Sequence, residues 1–120
     1  GQGMPSDLSE VTATGAVMGT PRYMSPEQSR AETLTPATDI FCLGLCVFEI
    51  ATGRHPFAAT FPRDVITGIR EQPAPALNRW RPDLAPELAA GIADLLAKDP
   101  AARPTADATY QRFRALSGSA

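Results

Sequence analysis

Between Thr35 and Gly53 the chain reads Thr-Pro-Ala-Thr-Asp-Ile-Phe-Cys-Leu-Gly-Leu-Cys-Val-Phe-Glu-Ile-Ala-Thr-Gly, a stretch punctuated like a helix at both ends and almost wholly apolar inside. Thr35 suits an N-cap with Pro36 at the first helical position, and Gly53 suits the left-handed residue that stops a helix. At 1.5 Å per residue the segment would run about 25 Å. From Ile40 to Phe48 no polar stripe remains. A helix of that kind is either enclosed by protein or spans a bilayer. Glu49 and Gly53 cut the run short of the roughly 20 residues that a span needs, so the spacing predicts the central helix of a protein core. Asp39, one turn in, is its odd member. A buried acid costs several kcal/mol without a partner, so Asp39 either accepts bonds from another segment's backbone N–H groups or faces water at the positive helix end.

At 120 residues the chain supports one modest core. The formal charge of -2 and the scatter of the eleven Lys and Arg residues, of which only Lys98 is lysine, argue against nucleic acid and against an acidic membrane surface. Cys42 and Cys46 lie four apart on one helix face and read as small core hydrophobes. A disulfide at that spacing has poor geometry. No metal site is expected, because the single histidine, His55, stands alone in a turn. With no signal peptide or membrane-spanning run, a reducing, cytoplasmic setting fits, and a parent protein could still be anchored elsewhere. The chain begins with Gly rather than Met, which suggests a fragment.

Residues 1–19 mix Gly, Ser, Thr and small apolar groups without either period and read as an extended segment carrying Thr12 and Thr14. Ser25 and Pro26 make a cap for a short helix to about Ala31. After the core helix comes an Arg54-His55-Pro56-Phe57 turn with Phe57 docking on the core. A surface helix over 61–71 then turns Val65, Ile66 and Ile69 to one side. Residues 72–86 hold four prolines and form an irregular connector pinned by Leu77 and Trp80. Pro86 opens a helix with Leu88, Ile92, Leu95 and Leu96 inward, ending near Lys98, whose charge suits a helix C-terminus. Thr105 caps a last helix with Tyr110, Phe113 and Leu116 as its buried stripe. Gly118 to Ala120 should fray. The sum is a mainly α body with an irregular arm.

The residues then resemble a known family. Gly19-Thr20-Pro21-Arg22-Tyr23-Met24-Ser25-Pro26-Glu27-Gln28 resembles the substrate-docking loop and Ala-Pro-Glu motif of eukaryotic-like Ser/Thr protein kinases of bacterial type, with Ser25 in place of the Ala. Asp39-Ile40-Phe41-Cys42-Leu43-Gly44 resembles the Asp-x-Trp-Ser-x-Gly start of the family's central helix, departing at Phe41 and Cys42. Pro56-Phe57 and Asp99-Pro100-Ala101-Ala102-Arg103-Pro104 resemble two later signatures in order. The resemblance covers nearly the whole chain. It implies a partial kinase domain over 1–118, with activation segment and docking loop in 1–27, a helical large-lobe subdomain in 28–118, and a tail at 119–120.

By that resemblance Glu27 and Arg103 match a buried ion pair supporting the docking loop, and Asp39 matches the residue that holds the catalytic loop. Cys46 and Ile50 fall where the central helix anchors the apolar spine beneath the adenine. Thr20 matches a threonine that positions substrate and favours Ser/Thr targets, and Thr12 and Thr14 become activation-loop phosphorylation candidates. Glu49 falls where some relatives face basic substrate residues, or is simply a solvated helix end. Phosphoryl transfer needs a Gly-rich phosphate cover, a phosphate-binding Lys, a catalytic Asp and a magnesium-binding Asp. The sequence holds no Gly-x-Gly-x-x-Gly, His-Arg-Asp or Asp-Phe-Gly. Catalytic residues are therefore expected outside this chain, with ATP and Mg bound by the full domain and not by this chain alone. The implied partners are protein Ser/Thr substrates and the N-terminal part of the kinase. The alternative is a non-catalytic module that binds a kinase or a substrate through the docking loop. As a fragment, the chain is expected to expose apolar surface.

Overall fold

The computed structural model describes residues 22–118. Five α-helices follow in order: α1 (Pro26–Ser29), α2 (Pro36–Thr52), α3 (Pro62–Glu71), α4 (Pro86–Leu95) and α5 (Ala106–Gly118), with 3-10 turns at Leu77–Arg79 and Pro100–Ala102. No strand occurs among the described residues.

The ends of α2 follow from its sequence. The Thr35 hydroxyl accepts the Ala37 N–H at 3.2 Å, and the Thr35 N–H donates to Thr38 Oγ1 at 3.2 Å. At the other end Gly53 adopts φ 76° and its N–H donates to Glu49 O at 2.7 Å, a conformation that a side chain would strain. Helix α1 stops at Ser29, two residues short of the Ala31 expected. Ala31 turns left-handed at φ 54°, which brings its own N–H to Gln28 O at 3.1 Å and the Glu32 N–H back to Glu27 O at 2.9 Å. Those two bonds close a Schellman motif on a four-residue helix.

Helix α2 packs on α4 and α5, and α1 packs on α3. Phe41, Leu45 and Phe48 from α2 meet Val65 and Ile69 from α3, Ile92 and Leu96 from the α4 region, and Phe57 and Leu77 from the connections. Leu77 is 1% exposed and Trp80 meets Phe48 edge-on with ring centroids 5.7 Å apart, so the proline-rich connector is pinned as its sequence suggests. Arg81 Nη1 adds a bond to Ala51 O at 2.8 Å.

Three expectations change. On α5 Phe113 and Leu116 are partly buried as expected, but Thr109 and not Tyr110 completes the stripe, Tyr110 being 59% exposed, because α5 meets its neighbours along the Thr109 side. Cys46, read as a core hydrophobe, is exposed: the buried positions of α2 are 38, 40, 41, 44, 45 and 48, and residue 46 lies on the opposite side of the helix. Lys98 does not cap its own helix. Its ammonium donates to Gly68 O at 2.9 Å and Ile69 O at 2.7 Å, two carbonyls near the end of α3.

At Gly44 the α2–α4 contact leaves no room for a side chain. A Cβ there would stand 2.8 Å from Leu96 Cδ2 and 2.9 Å from Leu95 Cβ, and the latter cannot rotate away. Overpacking costs about 1–3 kcal/mol against about 1 kcal/mol gained in helix propensity, so Gly44→Ala is expected to lower stability by about 1 kcal/mol. A urea midpoint equal to or above that of the parent chain would contradict this packing.

Candidate functional site

Glu27 sits in α1 and Arg103 follows the Pro100–Ala102 turn, 76 positions later, yet the two side chains are buried against each other. Arg103 Nη1 donates to Glu27 Oε2 at 2.7 Å and Nη2 to Oε1 at 3.0 Å, the bidentate fork that a guanidinium and a carboxylate favour. The remaining donors reach Ala37 O at 2.8 Å, Ala97 O at 2.7 Å and Lys98 O at 3.1 Å, so all five N–H groups are used. The Phe41 ring lies 4.9 Å beneath the guanidinium. Glu27 Oε2 also accepts the Thr38 hydroxyl at 2.8 Å, which ties the pair to the cap of α2. Burial alone would push the Glu27 carboxyl up. The Arg103 bonds, its own backbone and Thr38 outweigh this and hold it at about 2.

The strand of backbone leading into α1 is held to the end of α2 and the following turn. Arg22 Nη2 and the Tyr23 hydroxyl both donate to the Glu49 carboxylate. Tyr23's bond, with Arg22's behind it, keeps that carboxyl below its ordinary range despite partial burial. Glu49 is therefore neither a free acidic patch nor a merely solvated helix end. The Cys42 thiol donates to Tyr23 O at 3.1 Å; burial, then the nearby Asp39 charge, push it up to about 11 and keep it a donor. Ser25 N–H donates to Gln28 Oε1 at 2.8 Å and Ser25 Oγ accepts the Gln28 N–H at 3.1 Å. Arg70 on α3 grips Ser29 through Nε to Oγ at 2.8 Å and Nη2 to O at 2.6 Å. His55, read as standing alone, is 3% exposed and bonds to Arg22 O. No motif marks it; the only hint is a histidine two residues ahead of an aromatic that docks on the core.

The other candidates lie elsewhere. Asp39, Leu43, Cys46 and Ile50 follow one another along α2 and are all exposed, Ile50 at 84%, forming a strip that the described residues leave uncovered. Thr12, Thr14 and Thr20 lie outside the described residues. Lys98 is half-buried with its Nζ 4.0 Å from the Phe57 ring centroid, and burial, then the Arg103 charge, bring its ammonium down to about 8. Among the described residues no group of three His, Cys, Asp or Glu stands together as a metal-ligand set.

Removing Arg103 leaves a buried carboxylate without compensation, a loss of about 3–5 kcal/mol. Arg103→Ala is expected to speed amide hydrogen exchange in 25–32, and an unchanged exchange map there would refute the link. The Glu27 carboxyl is lower in the folded chain than its free value of 4.5, so its contribution is complete above pH 4.5 and is lost as pH falls toward about 2. Urea stability followed over that window should fall in the parent chain, whereas Glu27→Gln is weaker at neutral pH and flatter with acid.

The protein kinase domain family matches residues 3–113. Serine/threonine-protein kinase PknB of Mycolicibacterium smegmatis is 44% identical over 91 residues, covering 75% of this chain and 14% of that protein. Serine/threonine-protein kinase PknA of Mycobacterium tuberculosis is 38% identical over 107 residues, covering 85% of this chain and 24% of the relative, and PknB of Mycobacterium leprae is 38% identical over 96 residues, or 79% and 15%. The chain thus spans less than a quarter of these relatives. The folded body, the bidentate Glu27–Arg103 pair and the family match agree: the chain belongs to the protein kinase domain family, among the bacterial-type Ser/Thr kinases.

Proposed function

We propose that the chain is the substrate-docking and base portion of a Ser/Thr protein kinase, acting within a complete domain that transfers the ATP γ-phosphate to protein Ser or Thr hydroxyls. The observation that carries this reading is the open strip on α2. Its members include the three positions that the family resemblance assigns to the catalytic loop, Asp39, and to the spine under the adenine, Cys46 and Ile50. Apolar surface left in water forgoes about 25 cal/mol per Å², so such a strip on the central helix is a face awaiting the catalytic half of the domain. Thr20 is assigned to positioning the substrate hydroxyl, Glu27 and Arg103 to supporting the docking loop, and Thr12 and Thr14 to phosphorylation that orders the segment through basic partners.

ATP and Mg do not fit the described residues. The single lysine is engaged by the Gly68 and Ile69 carbonyls, and no acidic group gathers as a metal-ligand set among them. Catalysis is therefore assigned to residues outside this chain, which alone is inactive. No helix among the described residues is long and apolar enough to cross a membrane.

One observation favours a second reading, a binding module that engages a kinase or substrate without catalysis. Residues 22–25 are fixed by Glu49, Cys42, His55 and Gln28, all within the chain, so the platform is ordered without further segments.

An antibody against the last helix around Tyr110 to Leu116, used on cells that make the protein, separates the two. A product well above 12.7 kDa that phosphorylates Ser or Thr with ATP and Mg is expected, and a stable 12.7 kDa product without transfer would favour the binding module. Ile50 offers a second check. With its side chain exposed, Ile50→Ala is expected to be near neutral in the isolated chain, but to cost about 2–5 kcal/mol in a complete domain if the spine assignment buries the residue there. Equal effects in both would remove the argument from the strip.

A further inference from the structure

His55 joins two backbone groups that leave it no choice of protonation. The Arg22 carbonyl can only accept, so Nε2, which bonds to it, must carry a proton. The Phe57 N–H can only donate, and it meets Nδ1 at 3.0 Å, so Nδ1 must be bare. Both bonds together are possible only for the neutral ring protonated at Nε2. A second proton on Nδ1 would point at the Phe57 N–H and break that bond.

The surroundings hold the ring in place. Tyr23 and Phe57 flank it with ring centroids 6.2 Å and 6.1 Å away. Three charged or titratable groups face it: Arg22 and Tyr23 from the segment ahead of α1, and Glu49 from the end of α2. From the Phe57 side, Lys98 stands over the far aromatic ring. Glu49 would favour a charged imidazole, but its carboxylate already accepts from both Arg22 and Tyr23. Burial, with the Arg22 charge, moves the ring below its ordinary value and keeps it neutral at pH 7.

We propose that His55, as the neutral tautomer protonated at Nε2, is a positioning residue that holds the substrate-docking loop through the Arg22 carbonyl and its own turn through the Phe57 N–H. This rests on reading residues 19–27 as that loop. The Arg22 carbonyl is two residues beyond Thr20, so a loop detached there no longer fixes the segment assigned to the substrate hydroxyl. Arg22, Tyr23 and His55 act together: the side chains of the first two are held by Glu49, and the backbone between them by His55 and the Cys42 thiol. Peptide binding in a complete domain should therefore weaken when the Nε2 donor is removed, with nucleotide binding unmoved.

Because the chain has one histidine, an untagged, nitrogen-15-labelled sample gives the two ring-nitrogen signals of a single imidazole. The expected result is one tautomer, protonated at Nε2, titrating below 6.5, with the Phe57 amide resonance moving on the same curve and the Tyr23 amide little moved. Two variants separate the halves of the clasp. His55→Gln keeps a donor near the Nε2 position but no acceptor at Nδ1, so the Tyr23 amide should keep its position while Phe57 exchange rises on the order of tenfold, the worth of one hydrogen bond. His55→Asn should do the reverse, protecting Phe57 and freeing the loop. A ring protonated at Nδ1, a titration at the ordinary value, or identical behaviour of the two variants would overturn the proposal. In the complete domain the peptide KM should rise on the order of tenfold in His55→Asn, which loses the donor to the Arg22 carbonyl, and stay near the parent value in His55→Gln, with kcat and the ATP KM little changed. An unchanged peptide KM in an active His55→Asn enzyme overturns the positioning role, whereas absence of all phosphoryl transfer in the parent enzyme defeats the kinase reading and leaves the tautomer result standing.

Discussion

A buried arginine with every donor engaged organises this chain. Arg103 reaches α1 through Glu27, the first turn of α2 through Ala37, and the segment after α4 through Ala97 and Lys98. Paired charges inside a protein often contribute little net stability, because desolvation cancels their attraction. What the pair does provide is registry. Only one arrangement of those segments satisfies five N–H donors and two carboxylate oxygens at once, and any slip leaves a charge buried without a partner. Thr38 extends the same network into the cap of α2, so the start of the central helix and α1 are set by one cluster.

Around that cluster the central helix has two unlike faces. Phe41, Leu45 and Phe48 turn toward α3, α4 and the connector, while Leu43, Cys46 and Ile50 turn outward with Asp39. Lys98 performs a parallel task for α3: a cation between two aromatic rings holds the Ile69 carbonyl and adds a second donor to the Gly68 carbonyl, which also accepts the Gln72 N–H. With Arg70 holding Ser29, α3 is fixed to α1 at one point and to the base at another. The segment leading into α1 rests on a platform whose parts are mutually fixed.

The sequence showed the helices well because their ends carry local chemistry. Thr35, Pro36 and Gly53 cap and stop α2 through bonds within a few residues, and Pro62 and Pro86 open α3 and α4. Boundaries and stripes that depend on neighbours were less legible. Nothing local says that Ala31 turns left-handed, and α5 presents Thr109 rather than Tyr110 because of where α4 lies. Of the candidate site, motif residues were found through their resemblance to a family, while His55 was missed because its partners, Arg22 O and Phe57 N–H, are backbone groups that leave no trace in composition.

The sequence by itself determined the order and type of the elements and the family, since caps, periodicity and short motifs are properties of neighbouring residues. The tertiary structure decided which groups share a site. It alone set Glu27 and Arg103 in contact across 76 positions, placed a lysine under another helix's end, and chose the protonated nitrogen of a histidine. These are matters of distance and direction between segments far apart in the chain. They arise only when the core closes and every buried donor must find an acceptor.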